Sequence, residues 1–150
     1  MLQVYNQIDT WIQEIINDDP IRPNLSAEFR INKSAEIFAL WSEQSLGAVC
    51  CVRYTQGIPE DISDMQERST SSADTAVFYT LWSYVKGSGR DLVQLASAHI
   101  QDEKPHIKNI VTLSPKTRTA ERFHLRNGAT TYRVNEDSVN YAYRLVNDVL

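Results

Sequence analysis

A strand, a glycine turn and a helix follow one another without interruption between residues 75 and 100. Thr75 to Val85 (TAVFYTLWSYV) is rich in β-branched and aromatic residues, which predicts a strand. Lys86-Gly87-Ser88-Gly89 follows at once, and one face of a helix is then marked by Leu92, Leu95, Ala96 and Ile100. Glycines let a ligand approach the backbone closely, and a helix N-terminus offers unpaired N–H groups. The unit therefore predicts an anion site.

The turn itself supplies the candidate ligands of that anion. We expect the main chain of Gly87, Ser88 and Gly89 to donate to a phosphate, and Lys86 and Arg90 to add charge. Two glycines between a strand and a helix are also often only a tight turn. The residues flanking the turn complete the candidate binding segment, namely Trp82, Tyr84 and Asp91. Aromatic residues such as Trp82 and Tyr84 are commonly core residues, although their backbone could bind an extended ligand in β-like fashion.

The other patterns predict further strands and helices on both sides of this unit. Residues 2–16 have apolar residues at three- and four-residue intervals, which predicts an amphipathic helix that Asp18-Asp19-Pro20 ends. Strands are predicted at 36–40, 46–55, 106–113, 130–133 and 138–145, the first two as an antiparallel hairpin and the last two as a closing pair.

A helix after Ser114-Pro115 carries Ala120 and Phe123 on its inner face and ends at Gly128. Residues 57–74 have few large apolar side chains, which predicts a mobile surface loop that can include a helical turn and could border a pocket. The order of elements is helix, three strands, helix, strand, helix and two strands. This order indicates a mixed sheet flanked by helices, of the α/β or α+β class.

Composition limits the classes of function that the chain can have. A length of 150 residues with 42% hydrophobic content predicts one domain over 1–150, with 1–24 as N-terminal helix and linker. The net charge of −4, with scattered basic residues, argues against nucleic acid or an anionic membrane as partner. No apolar run reaches about 20 residues and the N-terminus is unlike a secretory signal, so we expect a cytoplasmic protein.

The cysteines and histidines give no indication of a metal or a disulfide. Cys50 and Cys51 are adjacent, so an ordinary disulfide between them is excluded and a strand would turn them to opposite faces. No Cys and His residues have zinc spacing, and we expect no metal. His99 and His106 belong to no motif, and we expect each to lie at the surface or in packing.

The run from Ala76 to Ala129 resembles the GNAT acyltransferase superfamily. That superfamily has a Gln/Arg-x-x-Gly-x-Gly/Ala turn over the pyrophosphate of coenzyme A, which Gly87 and Gly89 match and from which Tyr84 departs. Its later Ala-x-x-Phe-Tyr-x-x-x-Gly segment corresponds to 120–128, with His124 at the position of the usual tyrosine acid. The resemblance implies a largely antiparallel GNAT-like sheet flanked by helices, and a small-molecule acyl-CoA as ligand.

Within that superfamily, residues 46–133 look like the catalytic domain of malonyl-CoA decarboxylase. The resembling segments are TAVFY at 75–79, PHIKNIVTLSP at 105–115 and RFHLRNGATTYRVN at 122–135. In that family a Ser in a Leu-Ser-Pro turn and a His in a Phe-His-Leu-x-Asn-Gly-Ala segment carry the chemistry. The resemblance thus implies Ser114 and His124 as catalytic residues. Here only nine residues separate them, where the family has a long insertion, and the family's N-terminal helical domain has no counterpart in the 150 residues.

Three functions remain open at this point. The first is decarboxylation of malonyl-CoA without a metal or organic cofactor; the second is transfer of acetyl from acetyl-CoA to an amine, with His124 as acid; the third is a non-catalytic partner-binding domain. An acetyltransferase also needs a base, for which Glu36, Glu43 and Glu60 are candidates that their spacing does not separate. A homo-oligomer is possible, with the N-terminal helix and the terminal strands as contact surfaces.

The spacing of Ser114 and His124 sets a geometric condition on a shared role. One straight helix between them would hold them roughly 15 Å apart. Both can reach one carbonyl only if the helix begins late, after an irregular stretch at Lys116-Thr117-Arg118; otherwise His124 acts alone while Ser114 positions the thioester. The pair Ser114-Pro115 also has the composition of an N-cap and first helical residue, a structural alternative for Ser114.

Overall fold

A computed structural model describes residues 1–145 as seven strands and five helices. In chain order they are β1 Leu2–Tyr5, α1 Thr10–Ile16, α2 Ala27–Arg30, β2 Ala35–Ser42, β3 Ser45–Thr55, α3 Ile62–Arg68, β4 Thr75–Ser83, α4 Ser88–Glu103, β5 Asn109–Thr112, α5 Arg118–Arg126, β6 Thr130–Val134 and β7 Val139–Tyr143. The strands form one sheet in the order β1-β2-β3-β4-β5-β7-β6.

Among these strands β4 and β5 are the parallel pair, and all other neighbours are antiparallel. Helix α4 makes the crossover from β4 to β5, as a parallel connection requires. The predicted mixed, largely antiparallel sheet with flanking helices is confirmed, as are the β2–β3 hairpin and the closing pair β6–β7.

Two apolar cores lie on the opposite faces of the sheet. One contains Ile12 and Ile16 of α1 with Met65 of α3, and the other contains Leu92 and Ile100 of α4. The adjacent cysteines alternate between these faces, Cys51 in the first core and Cys50 in the second, and both are free thiols. Their side chains therefore fill space on both sides of β3, as the sequence predicted.

The prediction of one helix from Leu2 to Ile16 is wrong at its N-terminal end. Leu2 and Val4 lie in β1, opposite Leu40 and Phe38 of β2, and pack against the core that contains α4. Two residues apart, they satisfy the period of a strand as well as that of a helix, and pairing with β2 gives their backbone cross-strand hydrogen bonds. The helix begins only at Thr10.

Two local predictions for the later helices are also wrong. Leu95 is 45% exposed, because α4 packs through Leu92, Val93, Ala96 and Ile100, and a residue three positions after Leu92 falls outside that face. Ser114 is not the N-cap of α5. That position belongs to Thr117, whose side chain accepts a hydrogen bond from the Ala120 amide.

Residues 57–74 contain a regular element. Helix α3 is capped by Asp61, whose side chain accepts from the Asp64 amide, and it buries Met65. The segment before it is bonded to the β6–β7 hairpin, since Asn140 and Ser138 donate to the carbonyls of Pro59 and Glu60. No helix in the described part of the chain has the length and apolar character to cross a membrane.

Candidate active site

Strands β4 and β5 run side by side and then separate. Their pairing extends to Phe78 opposite Thr112, and the last bond between them runs from the Leu113 amide to the Phe78 carbonyl at 3.0 Å. The Ser114 backbone then donates to and accepts from the backbone of Val139, the first residue of β7, at 2.9 Å in each hydrogen bond. Beyond this point β4 remains paired with β3 but no longer with β5, so a gap opens between β4 and the chain that leaves β5.

An irregularity in β4 lies at the same level. Phe78 is opposite Val52 and Thr80 is opposite Cys51, so Tyr79 is an additional residue on β4 without its own partner on β3. Such a bulge bends the strand and redirects its side chains. The bulge and the end of the parallel pairing together shape the gap.

A cavity of about 650 Å³ fills the gap between the diverging strands. Residues 78–83 line it from β4, and residues 113–115 line it from the chain that leaves β5. Helix α5 contributes Ala120, Phe123 and His124, and Gly89 adds the first turn of α4. The wall is mainly apolar, and none of its lining residues is an aspartate or a glutamate. The cavity can therefore hold an apolar or desolvated group beside a few polar atoms.

Ser114 and His124, which the sequence singled out, line this same cavity. Helix α5 begins at Arg118, so the chain from Pro115 to Thr117 is free to turn, and the Thr117 amide bonds the Pro115 carbonyl at 2.9 Å. Helix α5 thus begins at Arg118, the third residue of the stretch 116–118 that had to be irregular for Ser114 and His124 to reach one carbonyl. Ser114 is not separated from His124 by an unbroken helix.

The Ser114 hydroxyl is buried and held from one side. It lies 2.8 Å from the Thr112 hydroxyl, which also accepts from the Tyr141 amide at 3.1 Å. In this bond the Ser114 hydroxyl is the donor and the Thr112 hydroxyl is the acceptor. The arrangement gives Ser114 a fixed position, and its hydrogen reaches a ligand in the cavity only when the hydroxyl rotates away from Thr112.

The His124 imidazole is enclosed by aromatic rings. Tyr141 stacks on it at 5.2 Å, and its Nδ1 lies 2.7 Å from the Tyr143 hydroxyl. The side chain is in the last turn of α5, where the helix dipole favours a cation, but burial outweighs this and lowers the pKa of His124 to about 4. The imidazole is therefore neutral near pH 7, a hydrogen-bonding group and not an acid.

The two glycines of the turn are needed for different reasons. Gly87 precedes α4 with φ of 87°, in the left-handed region that favours glycine, and a Cβ there would meet no other atom within 4 Å. At Gly89 a Cβ would lie 3.3 Å from Cε1 of Phe123, so its absence lets α4 pack closely against α5. Gly89 lies in the first turn of α4 and also lines the cavity.

One of the three predicted main-chain donors, the Ser88 amide, is already used within the turn. The Ser88 amide already donates to the Val85 carbonyl at 3.1 Å, and the Asp91 amide donates to the Gly87 carbonyl at 3.2 Å. Between them, the amides of Gly89 and Arg90 have no hydrogen-bond partner within residues 1–145. These two N–H groups are therefore available to an anion at the start of α4.

The remaining predicted binding residues lie around this turn. Trp82 lines the cavity, and its indole donates to the Tyr84 hydroxyl, which in turn donates to Asp18 at 2.7 Å. Tyr84 therefore fastens the N-terminal segment to β4. Outside the cavity lining are Tyr84, Lys86, Gly87, Ser88, Arg90 and Asp91. The side chains of Arg90 and Asp91 form an exposed contact at 3.4 Å.

The residues that the sequence analysis missed come from the segment between α1 and α2. Pro20 and Ile21 line the cavity, and Arg22 spans the two diverging strands, donating from Nε to the Tyr79 carbonyl and from Nη2 to the Leu113 carbonyl, each at 2.9 Å. Asp19-Pro20 signalled only a helix end. No periodic signal marks a loop that closes a distant cavity.

A buried ion pair holds this segment in place. Asp19 accepts from the Arg30 guanidinium at 2.7 Å and from the Thr80 hydroxyl at 2.9 Å, and both charged side chains are fully buried. Burial alone would raise the pKa of Asp19, but hydrogen bonds from the Arg22 amide and from Arg30 lower it. The carboxylate is thus ionised and anchors the segment to β4.

The other titratable residues considered from the sequence lie elsewhere. Neither Glu36, Glu43 nor Glu60 lines the cavity, and Glu36 accepts from the Tyr54 hydroxyl on the far part of the sheet. His99 packs edge-on against Phe38, and His106 is exposed. Across residues 1–145, no three His, Cys, Asp or Glu side chains are grouped as a metal site would require.

Comparison with solved structures identifies the fold. Malonyl-CoA decarboxylase from Agrobacterium vitis matches 97% of this chain with a TM-score of 0.79 and 19% identity, over 60% of its own chain. Malonyl-CoA decarboxylase from Rhodopseudomonas palustris matches 97% with a TM-score of 0.76 and 18% identity, over 56% of its own chain. The chain therefore spans about 60% of the length of these decarboxylases or less.

An acetyltransferase is also similar in structure. The PaiA N-acetyltransferase from Thermoplasma acidophilum, solved in complex with coenzyme A, matches 96% of this chain with a TM-score of 0.63 and 10% identity, over 99% of its own chain. No protein-family model matches the sequence, and the search of curated proteins gives no significant match. At these identities the comparisons establish a GNAT-like fold, as the motifs predicted.

Proposed function

We propose that this GNAT-like chain binds malonyl-CoA and decarboxylates it to acetyl-CoA in the cavity between β4 and β5. One observation carries the proposal: the cavity contains a serine hydroxyl and a neutral imidazole, and no carboxylate lines it. The structural similarity to two malonyl-CoA decarboxylases supports the same reaction class.

The coenzyme A part would bind at the start of α4. The free amides of Gly89 and Arg90 are suited to the pyrophosphate, and the helix dipole favours its negative charge. The exposed side chains of Lys86 and Arg90 add positive charge nearby. Gly89 also lines the cavity. A ligand whose phosphates bind at the start of α4 would therefore extend its thioester arm into the cavity.

Decarboxylation needs little from the protein beyond donors and a dry pocket. When the bond to the terminal carboxylate breaks, carbon dioxide leaves and the electron pair moves onto the thioester carbonyl to form an enolate. Donors from Ser114 and His124 would stabilise the developing charge on that oxygen. A proton from solvent then converts the enolate into the acetyl group. The apolar wall disfavours the charged carboxylate of the substrate, which assists its loss.

The same geometry disfavours amine acetylation. That reaction needs a base to deprotonate the incoming ammonium and an acid for the leaving thiolate. The cavity lining provides no carboxylate base, and an imidazole with a pKa of about 4 carries almost no cationic form at pH 7 to act as the acid. Pro20 and Ile21 occupy part of the wall and bring only apolar side chains to an acceptor.

The decisive experiment follows carbon dioxide release from malonyl-CoA without an added acceptor. We expect turnover by the wild type and a loss of about a hundredfold or more in kcat for Ser114→Ala and for His124→Gln, the magnitude typical of losing one oxyanion donor. Binding of coenzyme A, measured by calorimetry, should change little in both variants. The matched control is His106→Gln, which alters an exposed histidine outside the cavity.

Other outcomes would redirect the interpretation. Wild-type rates in both variants would exclude Ser114 and His124 as the catalytic pair. Consumption of acetyl-CoA only when an amine is added would replace the decarboxylase by an acetyltransferase. If folded protein binds neither coenzyme A, acetyl-CoA nor malonyl-CoA, the proposal fails and a partner-binding domain remains.

A further inference from the structure

We infer that Tyr143 is a positioning residue, whose hydroxyl donates to Nδ1 of His124 and thereby fixes the imidazole as the Nε2–H tautomer. The inference deepens the proposed function, on which its catalytic consequence rests. Its starting point is the 2.7 Å contact between Nδ1 of His124, on α5, and the Tyr143 hydroxyl, on β7.

The direction of this hydrogen bond follows from counting donors and acceptors. Both groups are neutral near pH 7, because burial lowers the pKa of His124 and raises the pKa of Tyr143. The pair therefore has one phenolic hydrogen and one imidazole hydrogen. Either Tyr143 donates to Nδ1 and Nε2 carries the hydrogen, or Nδ1–H donates to Tyr143.

Each arrangement leaves one donor without an acceptor within residues 1–145, and the two donors lie in different surroundings. In the second arrangement this donor is the Tyr143 hydroxyl, which contacts no other hydrogen-bonding group within residues 1–145 and does not line the cavity. An unsatisfied buried donor is costly. When Tyr143 donates instead, its hydrogen and the Nδ1 lone pair satisfy each other, and the donor without a protein acceptor is Nε2–H of His124, which lines the cavity and is available to solvent or a ligand there.

The surroundings hold the ring in one orientation. Tyr141 stacks on the imidazole with an interplanar angle of 26°, and the Phe123 ring meets it edge-on at 5.0 Å. No charged side chain forms an ion pair with His124 in the described part of the chain. Glu121 lies one turn earlier on α5 and acts electrostatically on Tyr141. The tautomer is thus determined by one neutral hydrogen bond.

A catalytic consequence follows for the proposed reaction. A neutral imidazole can stabilise an enolate oxygen only through the nitrogen that carries hydrogen. His124 lines the cavity, and Tyr143 occupies Nδ1, so Nε2 is the nitrogen left to meet the substrate. Without Tyr143 the ring can change tautomer or rotate, and the donor is lost in part of the molecules.

The tautomer can be measured without any activity assay. Nitrogen NMR on protein labelled in its three histidines distinguishes protonated from unprotonated ring nitrogens, and His124→Gln assigns the signals. At pH 7 we expect His124 to have Nε2 protonated and Nδ1 unprotonated, with an Nδ1 shift displaced by a hydrogen bond. Tyr143→Phe should move that shift towards the value of a free nitrogen. Tyr141→Phe, which keeps the stacked ring, should not.

Kinetics test the consequence separately. We expect Tyr143→Phe to lower kcat for decarboxylation by at least about tenfold with little change in KM, as for loss of a group that orients a catalytic histidine. Tyr132→Phe, on the exposed part of β6, is the matched control.

The outcomes separate this inference from the proposed function. Protonated Nδ1 in the wild type, or an Nδ1 shift unaffected by Tyr143→Phe, overturns the assignment whatever the activity. If His124→Gln abolishes turnover and Tyr143→Phe leaves kcat unchanged, the function stands and the positioning role is refuted. If His124→Gln has no effect on turnover, His124 has no catalytic role, and the NMR result alone decides the tautomer.

Discussion

The buried imidazole of His124 makes stability depend on pH. Its pKa is lowered by burial to about 4 in the folded chain, against an ordinary value of about 6.5 in the unfolded chain. The unfolded state therefore binds the proton more readily between these values. Stability is fully present above pH 6.5 and falls as pH is lowered towards 4, by about 3 kcal/mol from this group.

Urea unfolding at pH 7 and pH 4.5 tests this expectation. The wild type should lose stability across the interval, and His124→Gln, which removes the titrating ring, should lose about 2 kcal/mol less. His106→Gln serves as control because His106 is exposed, and it should follow the wild type. Equal pH dependence in wild type and His124→Gln would show that the imidazole is accessible to protons in the folded state.

At the scale of an element, the start of α4 requires glycine at two positions for different reasons. Gly87 is needed for its backbone conformation, and Gly89 for close packing against Phe123. Gly87→Ala places a side chain in a left-handed conformation, and we expect it to lower the free energy of unfolding by about 1 kcal/mol. Gly89→Val adds a branched side chain where even a Cβ lies 3.3 Å from Phe123. It should displace α5, crowd the amides of the first turn and weaken coenzyme A binding at least about tenfold.

Calorimetry with coenzyme A and urea unfolding separate the two effects. Gly87→Ala should lose stability with a smaller loss of affinity than Gly89→Val. Ser97→Ala, in the middle of α4, provides a control for a change in the same helix away from its N-terminus. Unchanged affinity in Gly89→Val would argue against the first turn of α4 as the phosphate site.

At the scale of the whole molecule, the Asp19–Arg30 pair joins the N-terminal segment to the sheet. Asp19→Asn leaves the fully buried Arg30 without its anion, and we expect a loss of about 3–5 kcal/mol. The comparison variant is Asp64→Asn, which breaks the partly exposed Asp64–Arg68 pair at 2.9 Å and should cost less than about 1 kcal/mol. Denaturant unfolding measures both, and similar small losses would mean that Arg30 is solvated after the substitution.

The local patterns of the sequence predicted most elements of this fold. Alternation and turn residues located the β2–β3 and β6–β7 hairpins, because strand pairing across a short turn depends mainly on nearby residues. The same patterns gave a wrong prediction at Leu2 and Val4. These two apolar residues fit the period of a helix and that of a strand, and only pairing with β2, more than thirty residues away, decides between the two.

The residues of the candidate site likewise divide into those that a short motif reveals and those that only contacts with distant residues reveal. Ser114, His124 and Gly89 were found because each belongs to a short motif, and all three line one cavity. Arg22 and Tyr143 were missed, since Arg22 acts through bonds to two distant carbonyls and Tyr143 through one bond to His124, and a single arginine or tyrosine has no motif. Which glycine is needed for φ and which for packing could likewise be known only once Phe123 was in place.

The sequence by itself determined what short-range chemistry fixes. This comprises the glycine turn before α4, the opposite directions of Cys50 and Cys51, and the motifs that contain Ser114 and His124. Only the tertiary structure decided where β4 and β5 separate, which amides stay free in the turn, and that burial makes His124 neutral. The physical reason is that hydrogen-bond satisfaction and desolvation depend on all groups around an atom, and most of those groups are brought there by remote parts of the chain.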